Sequence, residues 1–325
     1  MSTEIGYTLS SEEFGPRDLV RFAVGAEETG FTFALVSDHF HPWVDQQGHS
    51  PFVWATLGGL AQATDRLRIG TGVTCPLIRI HPAIVAQAAA TVADMMPGRF
   101  FLGLGTGENL NEHVTGARWP AIDQRLEMLE EAVEVIRMLW SGGSQTHRGR
   151  YYTVEQARVY TLPDELPPIM LAAKGKKAGT LAGRMGDGLV GVGPDKSLME
   201  AFDRAGGSGK PRYGQIHVCW AATEAEGKKT ARRWWPNAAI GGELGMELPL
   251  PRHYEQAAET VTEDDVAENV SCGPDPERMV SAIREYVAAG YDHVYLHQIG
   301  PEQEGFLRFF DREVRPRLSD LLSAA

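Results

Sequence analysis

Five short stretches hold the side chains that could do chemistry, each placed directly after an apolar run. Asp38 and His39 follow Phe33–Val36, with His41 and Trp43 just beyond. Gly72, Val73 and Thr74 end the run from Leu67, and Gly105-Thr106-Gly107-Glu108 follows Phe100–Leu104. Ala173-Lys174-Gly175-Lys176-Lys177 succeeds Ile169, and His297-Gln298 closes the last run. His39 beside Trp43 suits a general base titrating near neutrality. It equally suits a structural histidine bonded to a carbonyl, while a His39-x-His41 metal pair lacks complementary ligands. Gly103-Leu104-Gly105-Thr106-Gly107-Glu108 begins like the dinucleotide pattern GxGxxG, but a carboxylate stands where a pyrophosphate must approach. Its glycines would let the backbone come close to a flat ligand, with Glu108 offering a titratable carboxyl. The plainer alternative is a tight turn carrying an exposed glutamate. Gly175 among Lys174, Lys176 and Lys177 at a helix start is an anion site by charge and free N–H groups, or else a solvated basic helix start.

These stretches need a scaffold that brings strand ends together. Strand patterns at Ile5–Leu9, Phe33–Val36, Leu67–Val73 and Phe100–Leu104 alternate with helices from Pro16, after Pro51, from Pro82 and over Asp123–Trp140. In the last helix Leu126, Leu129, Val133, Ile136 and Trp140 form one apolar stripe. The second half adds strands at Ile169–Ala173, Gly188–Val192, Ile216–Ala221 and His293–His297, with a helix over Pro276–Ala289. Eight strands at this tempo specify an α/β fold with parallel strands, a (β/α)8 TIM barrel with its site at the strand carboxyl ends. The reading is one domain over residues 1–325 with an insertion at about 222–275.

The 325 residues are 43% hydrophobic and 23% charged, which excludes global disorder. A formal net charge of −12 makes nucleic acid and anionic membrane poor partners. Three scattered cysteines (Cys75, Cys219, Cys272) argue against a disulfide framework or structural zinc. With no leader or span pattern, a cytoplasmic protein is expected, with no metal.

VSDHFHPW (Val36–Trp43), GTGV (Gly70–Val73), FFLGLGTGENLNEHVTG (Phe100–Gly116), AGRMGDGLV (Ala182–Val190) and the closing RFFDREVRPRL together resemble the luciferase-like flavin/deazaflavin barrel family. Within it the chain is most similar to the F420-dependent glucose-6-phosphate dehydrogenases, nearly end to end. The resemblance implies coenzyme F420 in the barrel mouth, with a cis peptide at Gly72-Val73. Matching cofactor positions are Asp38, Gly72, Val73, Thr106, Gly107 and Asn111 near the ring. Ala172, Ala173, Lys174, Gly175, Lys176 and Lys177 match the segment that grips the cofactor phosphate. His39, Trp43 and Glu108 match the catalytic trio, for hydride transfer from a C–OH carbon to the deazaflavin C5. His39 would take the hydroxyl proton, Glu108 would serve the N1 side, and Trp43 would shield the ring. Family members are often dimers, and the small residues of Ala83–Ala93 permit close helix approach or barrel packing.

One departure bears on substrate. Where sugar-phosphate dehydrogenases hold the substrate phosphate with three cations, this chain has Asp195 (beside Lys196), Gln256 and Asn269. A dianion would lose charge-assisted bonds there, so an unphosphorylated alcohol or sugar is the expected substrate. The alternatives are an F420-dependent glucose-6-phosphate dehydrogenase, an F420H2-dependent reductase, an FMN-dependent monooxygenase, a glycosidase on Asp38 and Glu108, or a non-catalytic binder.

Overall fold

The computed structural model describes residues 2–322. Eight strands close into one parallel ring. In chain order the first half supplies β1 (Glu4–Leu9), α1 (Pro16–Glu28), β2 (Phe33–Val36), α2 (Val53–Ala63), β3 (Arg68–Thr71), α3 (Pro82–Met95), β4 (Phe100–Leu104), α4 (Asn109–Glu112) and α5 (Ile122–Trp140). An antiparallel hairpin follows, β5 (Gln145–Arg148) and β6 (Thr153–Ala157), then β7 (Ile169–Ala172), α6 (Lys176–Met185), β8 (Gly188–Gly191), α7 (Lys196–Phe202) and β9 (Arg212–Cys219). Beyond β9 come α8 (Glu224–Trp234), α9 (Leu244–Glu247), α10 (Pro251–Ala257), α11 (Glu263–Ala267), β10 (Ser271–Cys272), α12 (Pro276–Ala289), β11 (His293–Gln298) and α13 (Gln303–Phe309). The ring runs β1-β2-β3-β4-β7-β8-β9-β11 and back to β1, every pair parallel. This is the (β/α)8 barrel that the strand–helix alternation requires.

Alternation along the strands separates two cores. Phe33, Leu35, Phe101, Met170, Val190, Tyr213 and Tyr295 fill the barrel interior, while Ala34 and Val36 join the larger layer that contains buried helix residues. The interior rings need space from glycines. A Cβ at Gly6 would sit 2.3 Å from the Phe33 ring, and one at Gly70 only 2.1 Å from Phe101. These rings plug the barrel below its carboxyl-end mouth.

Helix boundaries follow local chemistry. Pro16 and Pro276 sit in first turns, Asp275 accepts from the Glu277 N–H, and Gly30 and Gly290 take the left-handed conformation after α1 and α12. The expected strand Leu67–Val73 is shorter, covering Arg68–Thr71, and the Gly72-Val73 peptide that follows is cis. β9 begins at Arg212, four residues before the expected Ile216, since its first half reads as polar although Tyr213 points into the barrel. The β5–β6 hairpin carries no apolar pattern strong enough to be read from sequence, and α7 is only seven residues long. Residues 220–275 lie between β9 and α12, and β10 pairs with the end of β9 through Ser271–Val218 and Cys272–Cys219.

Candidate functional site

The strand carboxyl ends surround a cavity of about 2170 Å3. His39 stands at its wall directly after β2. Its Nε2 lies 3.3 Å from Oε1 of Glu12, and its Nδ1 lies 3.2 Å from the His41 carbonyl oxygen. Glu12 is buried and accepts from the hydroxyls of Ser37 at 2.6 Å and Ser10 at 3.0 Å. Burial by itself would raise its pKa. The facing His39 and the Ser37 bond outweigh that and hold the carboxyl below its ordinary value. Trp43 meets His39 edge-on at 5.1 Å and Tyr254 of α10 at 5.3 Å, which fixes the indole against the wall.

Glu108 occupies the N-cap position of α4 and lines the cavity after β4. Asn111 joins it to the His39 loop: its Nδ2 donates to Glu108 Oε2 at 3.3 Å, and its Oδ1 accepts from the Phe40 and His41 N–H groups. Asn111 therefore works beneath the rim and does not line the cavity. Asp38 is likewise turned under. Its carboxylate pairs with Arg79 at 2.8 Å and accepts from Thr74 Oγ1 at 2.7 Å, leaving no oxygen facing the cavity. Arg79 also bonds Glu112, so a buried carboxylate–guanidinium–carboxylate set locks the loops after β2, β3 and β4. Burial, helped by the neighbouring Glu108 and Asp38 charges, pushes the Glu112 carboxyl upward against the pull of Arg79. His41 bonds the Leu110 carbonyl through Nδ1 and stacks on His113, so it is no chelating partner of His39.

The glycines after β4 correct the sequence reading. A Cβ at Gly103 would lie 2.0 Å from the Thr71 carbonyl oxygen, at Gly105 2.6 Å from Val73, and at Gly107 2.5 Å from the Cys75 sulfur. They let β4 close on the chain after β3, instead of chiefly freeing space for a flat ligand. Gly72, Val73, Thr106 and Gly107 still line the cavity. Open space lies instead above Gly175 and Gly193, where an added Cβ meets nothing within 4 Å.

Ala172, Ala173, Lys174, Gly175, Lys176 and Lys177 run along one end of the cavity into the start of α6, which has no side-chain cap. Lys177 pairs with Asp123 at 2.7 Å, and no carboxylate lies within ion-pair distance of Lys174 or Lys176 among the described residues. The sequence reading missed Arg125 close by on this wall. It is buried over the Trp119 ring at 4.0 Å and bonded through one nitrogen to Glu247, with Nε and Nη1 unpartnered. This end could hold an anion.

Of the expected substrate positions, only Asn269 reaches the wall. Asp195 caps α7 through a 2.8 Å bond from the Ser197 N–H, and it and Lys196 are exposed off the wall, although Gly193 and Pro194 line it. Gln256 is exposed on the far face of α10, because Tyr254 takes the inward position of that helix. Also missed are Glu12 and the wall histidine His217 of β9 with Trp235 behind it. A signal existed for the first: Ser10-Ser11-Glu12-Glu13 directly follows β1, where a barrel presents its site.

A model of the luciferase-like monooxygenase family matches residues 1–293. The chain belongs to this family. Two curated members named F420-dependent glucose-6-phosphate dehydrogenase, from Nocardia farcinica and Microbacterium testaceum, are each 37% identical to it. The alignments cover 98% of both chains for the first and 96% for the second. Among solved family structures, an F420-dependent secondary alcohol dehydrogenase in complex with an F420–acetone adduct superposes with a TM-score of 0.90 at 34% identity, over 98% of this chain and 100% of that one. The family match therefore extends through the segment between β9 and α12. Among the described residues no helix is long and apolar enough to cross a membrane.

Proposed function

We propose that this protein is an F420-dependent dehydrogenase that oxidises the C–OH group of an uncharged alcohol or sugar. The single observation that carries the reading is His39 at the cavity wall, held between the Glu12 carboxylate and the His41 carbonyl. A neutral imidazole has one N–H and can satisfy only one of these oxygens. With Nδ1–H on the His41 carbonyl, Nε2 keeps the lone pair that takes the substrate hydroxyl proton, and the Glu12 carboxylate beside it stabilises the imidazolium that forms. F420, when bound, supplies a two-electron acceptor for the hydride that leaves the same carbon.

The residues present fit that cofactor. The unpartnered Nε and Nη1 of Arg125, the uncapped start of α6 and Lys174 and Lys176 suit its phosphate end, with open space above Gly175. Val73, Thr106 and Gly107 would flank the ring system, with Asp38 and Asn111 holding those loops from beneath. Glu108 would hold a proton at the cavity wall after β4, and Trp43 would orient substrate beside His39.

Names of the relatives favour a second reading, glucose 6-phosphate as donor. Asn269 is neutral and Gln256, Asp195 and Lys196 lie off the wall, so none of the expected positions offers a cation there, while Lys228 and Arg278 of the same lining are paired with Glu224. The protein is further read as one barrel domain with an insertion at about 222–275, in the cytoplasm, and as a homodimer. Ala86, Ala89 and Ala90 are consumed inside the barrel shell, so dimer contacts would use the exposed Phe52 and Ile84 beside α2 and on α3. The test is titration with F420, FMN and NADP, followed by an alcohol and sugar panel read at the deazaflavin absorbance band. Selective binding of FMN, or equal efficiency on glucose 6-phosphate and simple alcohols, overturns the reading.

A further inference from the structure

A second chain of titratable groups reaches the cavity and has no part in the trio around His39. Glu13 is buried in the loop after β1, where its Oε1 accepts from the Gly300 N–H at 2.8 Å. Its Oε2 lies 3.0 Å from Nε2 of buried His297 on β11. His297 Nδ1 faces His217 Nδ1 on β9 at 3.1 Å. Only one assignment satisfies all three contacts with neutral rings. The carboxylate accepts from His297 Nε2–H, which leaves the His297 Nδ1 lone pair to accept from His217 Nδ1–H. His217 Nε2 is then an acceptor with no protein partner among the described residues, on a side chain that lines the cavity. Burial, the largest cause, holds the His217 pKa down to about 3, so the ring stays neutral and the acceptor persists. Trp235 packs edge-on against His297 at 4.5 Å and fixes the pair.

The position of this acceptor is specific. Successive inward residues of β9 are Tyr213, which plugs the barrel, then Gln215 and His217 toward the mouth. His217 thus shares the β9–β11–β1–β2 side of the cavity with His39 and Glu12. Val73, Thr106 and the lysine loop occupy the β3–β4–β7 side. A substrate between them meets two imidazole acceptors, hydroxyl and amide groups from Thr8, Ser10 and Gln215, and the rings of Trp43 and Trp235. These hydrogen-bonding groups and the Glu12 carboxylate, beside aromatic faces, suit a molecule with several hydroxyls.

We propose that His217, oriented by Glu13 and His297, receives a second hydroxyl of the substrate, so that the preferred donors are polyols and not monohydric alcohols. This rests on the dehydrogenase reading above. His217 contacts substrate, whereas His297 and Glu13 are positioning residues.

The test compares F420 reduction with propan-2-ol, propane-1,2-diol and 1-methoxypropan-2-ol in the wild type, H217F and E13Q. A lost neutral hydrogen bond is worth roughly 3- to 10-fold in kcat/KM. The wild type should prefer the diol over the other two by about that factor, and H217F should lose the preference. In E13Q the amide can accept from Gly300 and donate to His297, which reverses the relay and makes His217 Nε2 a donor. The methoxy alcohol, which offers only an acceptor at that position, should then gain on the diol. An unchanged diol preference in H217F, or an equal loss on all three donors in E13Q, overturns the inference while leaving the dehydrogenase intact. A wild type that reduces F420 with none of these donors and with no sugar of the panel refutes the dehydrogenase reading, and the inference falls with it.

Discussion

Replacing Glu12 by glutamine removes one charge and almost no volume. The carboxylate lies 3.3 Å from His39 Nε2 and also accepts from Ser10 and Ser37. At that distance a full charge pair is worth about 5 kcal/mol with an effective dielectric of ~20. The glutamine oxygen keeps part of this as a neutral hydrogen bond, so the net loss when His39 becomes charged is about 1.5–3 kcal/mol. Single-turnover F420 reduction should accordingly slow by roughly 10- to 150-fold, with F420 affinity by fluorescence titration unchanged. The same substitution changes acid stability in a defined direction. Glu12 has a lowered pKa in the fold, so it stabilises the protein above the unfolded carboxyl pKa of about 4.5. That stability is lost as pH falls through the folded value. E12Q should therefore show a shallower loss of stability below about pH 4.5 in denaturant melts. A turnover rate within twofold of wild type would refute the pairing of Glu12 with His39 as a catalytic unit.

Other outcomes follow from the same geometry. H39A and E108Q should each lose about 10²–10⁴-fold in kcat while still binding F420, as measured by single-turnover kinetics and fluorescence titration. G103A should destabilise the fold by about 1–3 kcal/mol in chemical denaturation, because its Cβ would sit 2.0 Å from the Thr71 carbonyl oxygen. N269R should raise the efficiency ratio of glucose 6-phosphate to glucose severalfold, since Asn269 lines the cavity. Q256K, on the exposed face of α10, should leave that ratio unchanged; an equal gain from both would contradict the placement.

The barrel was legible in the sequence because each early strand is a compact apolar run bounded by a helix with its own start and stop residues. Pro16, Gly30 and Pro82 mark those boundaries in both sequence and structure. β9 was harder to read because one of its faces points into a polar cavity, so Gln215 and His217 interrupt the apolar pattern. At the site, residue type and distance past a strand end were enough for His39, Trp43, Glu108 and the lysine loop. They could not distinguish a side chain on the wall from one beneath it. Asp38 and Asn111 hold the loops because Arg79, Thr74 and two backbone N–H groups capture their polar atoms, and no local pattern encodes those partners. His217 and His297 lie on strands, and Glu13 in the loop after β1, that meet only when the ring closes, and Gln256 was misplaced because helical phase decides which residue of α10 faces inward.

Isotope transfer tests the central claim most directly. The protein is incubated anaerobically with F420 and with propan-2-ol or propane-1,2-diol carrying deuterium on the carbinol carbon, and the reduced cofactor is examined by NMR. One deuterium at C5 of the product is the expected result. Absence of cofactor reduction, or reduced F420 without deuterium at C5, would contradict direct hydride transfer from a C–OH carbon.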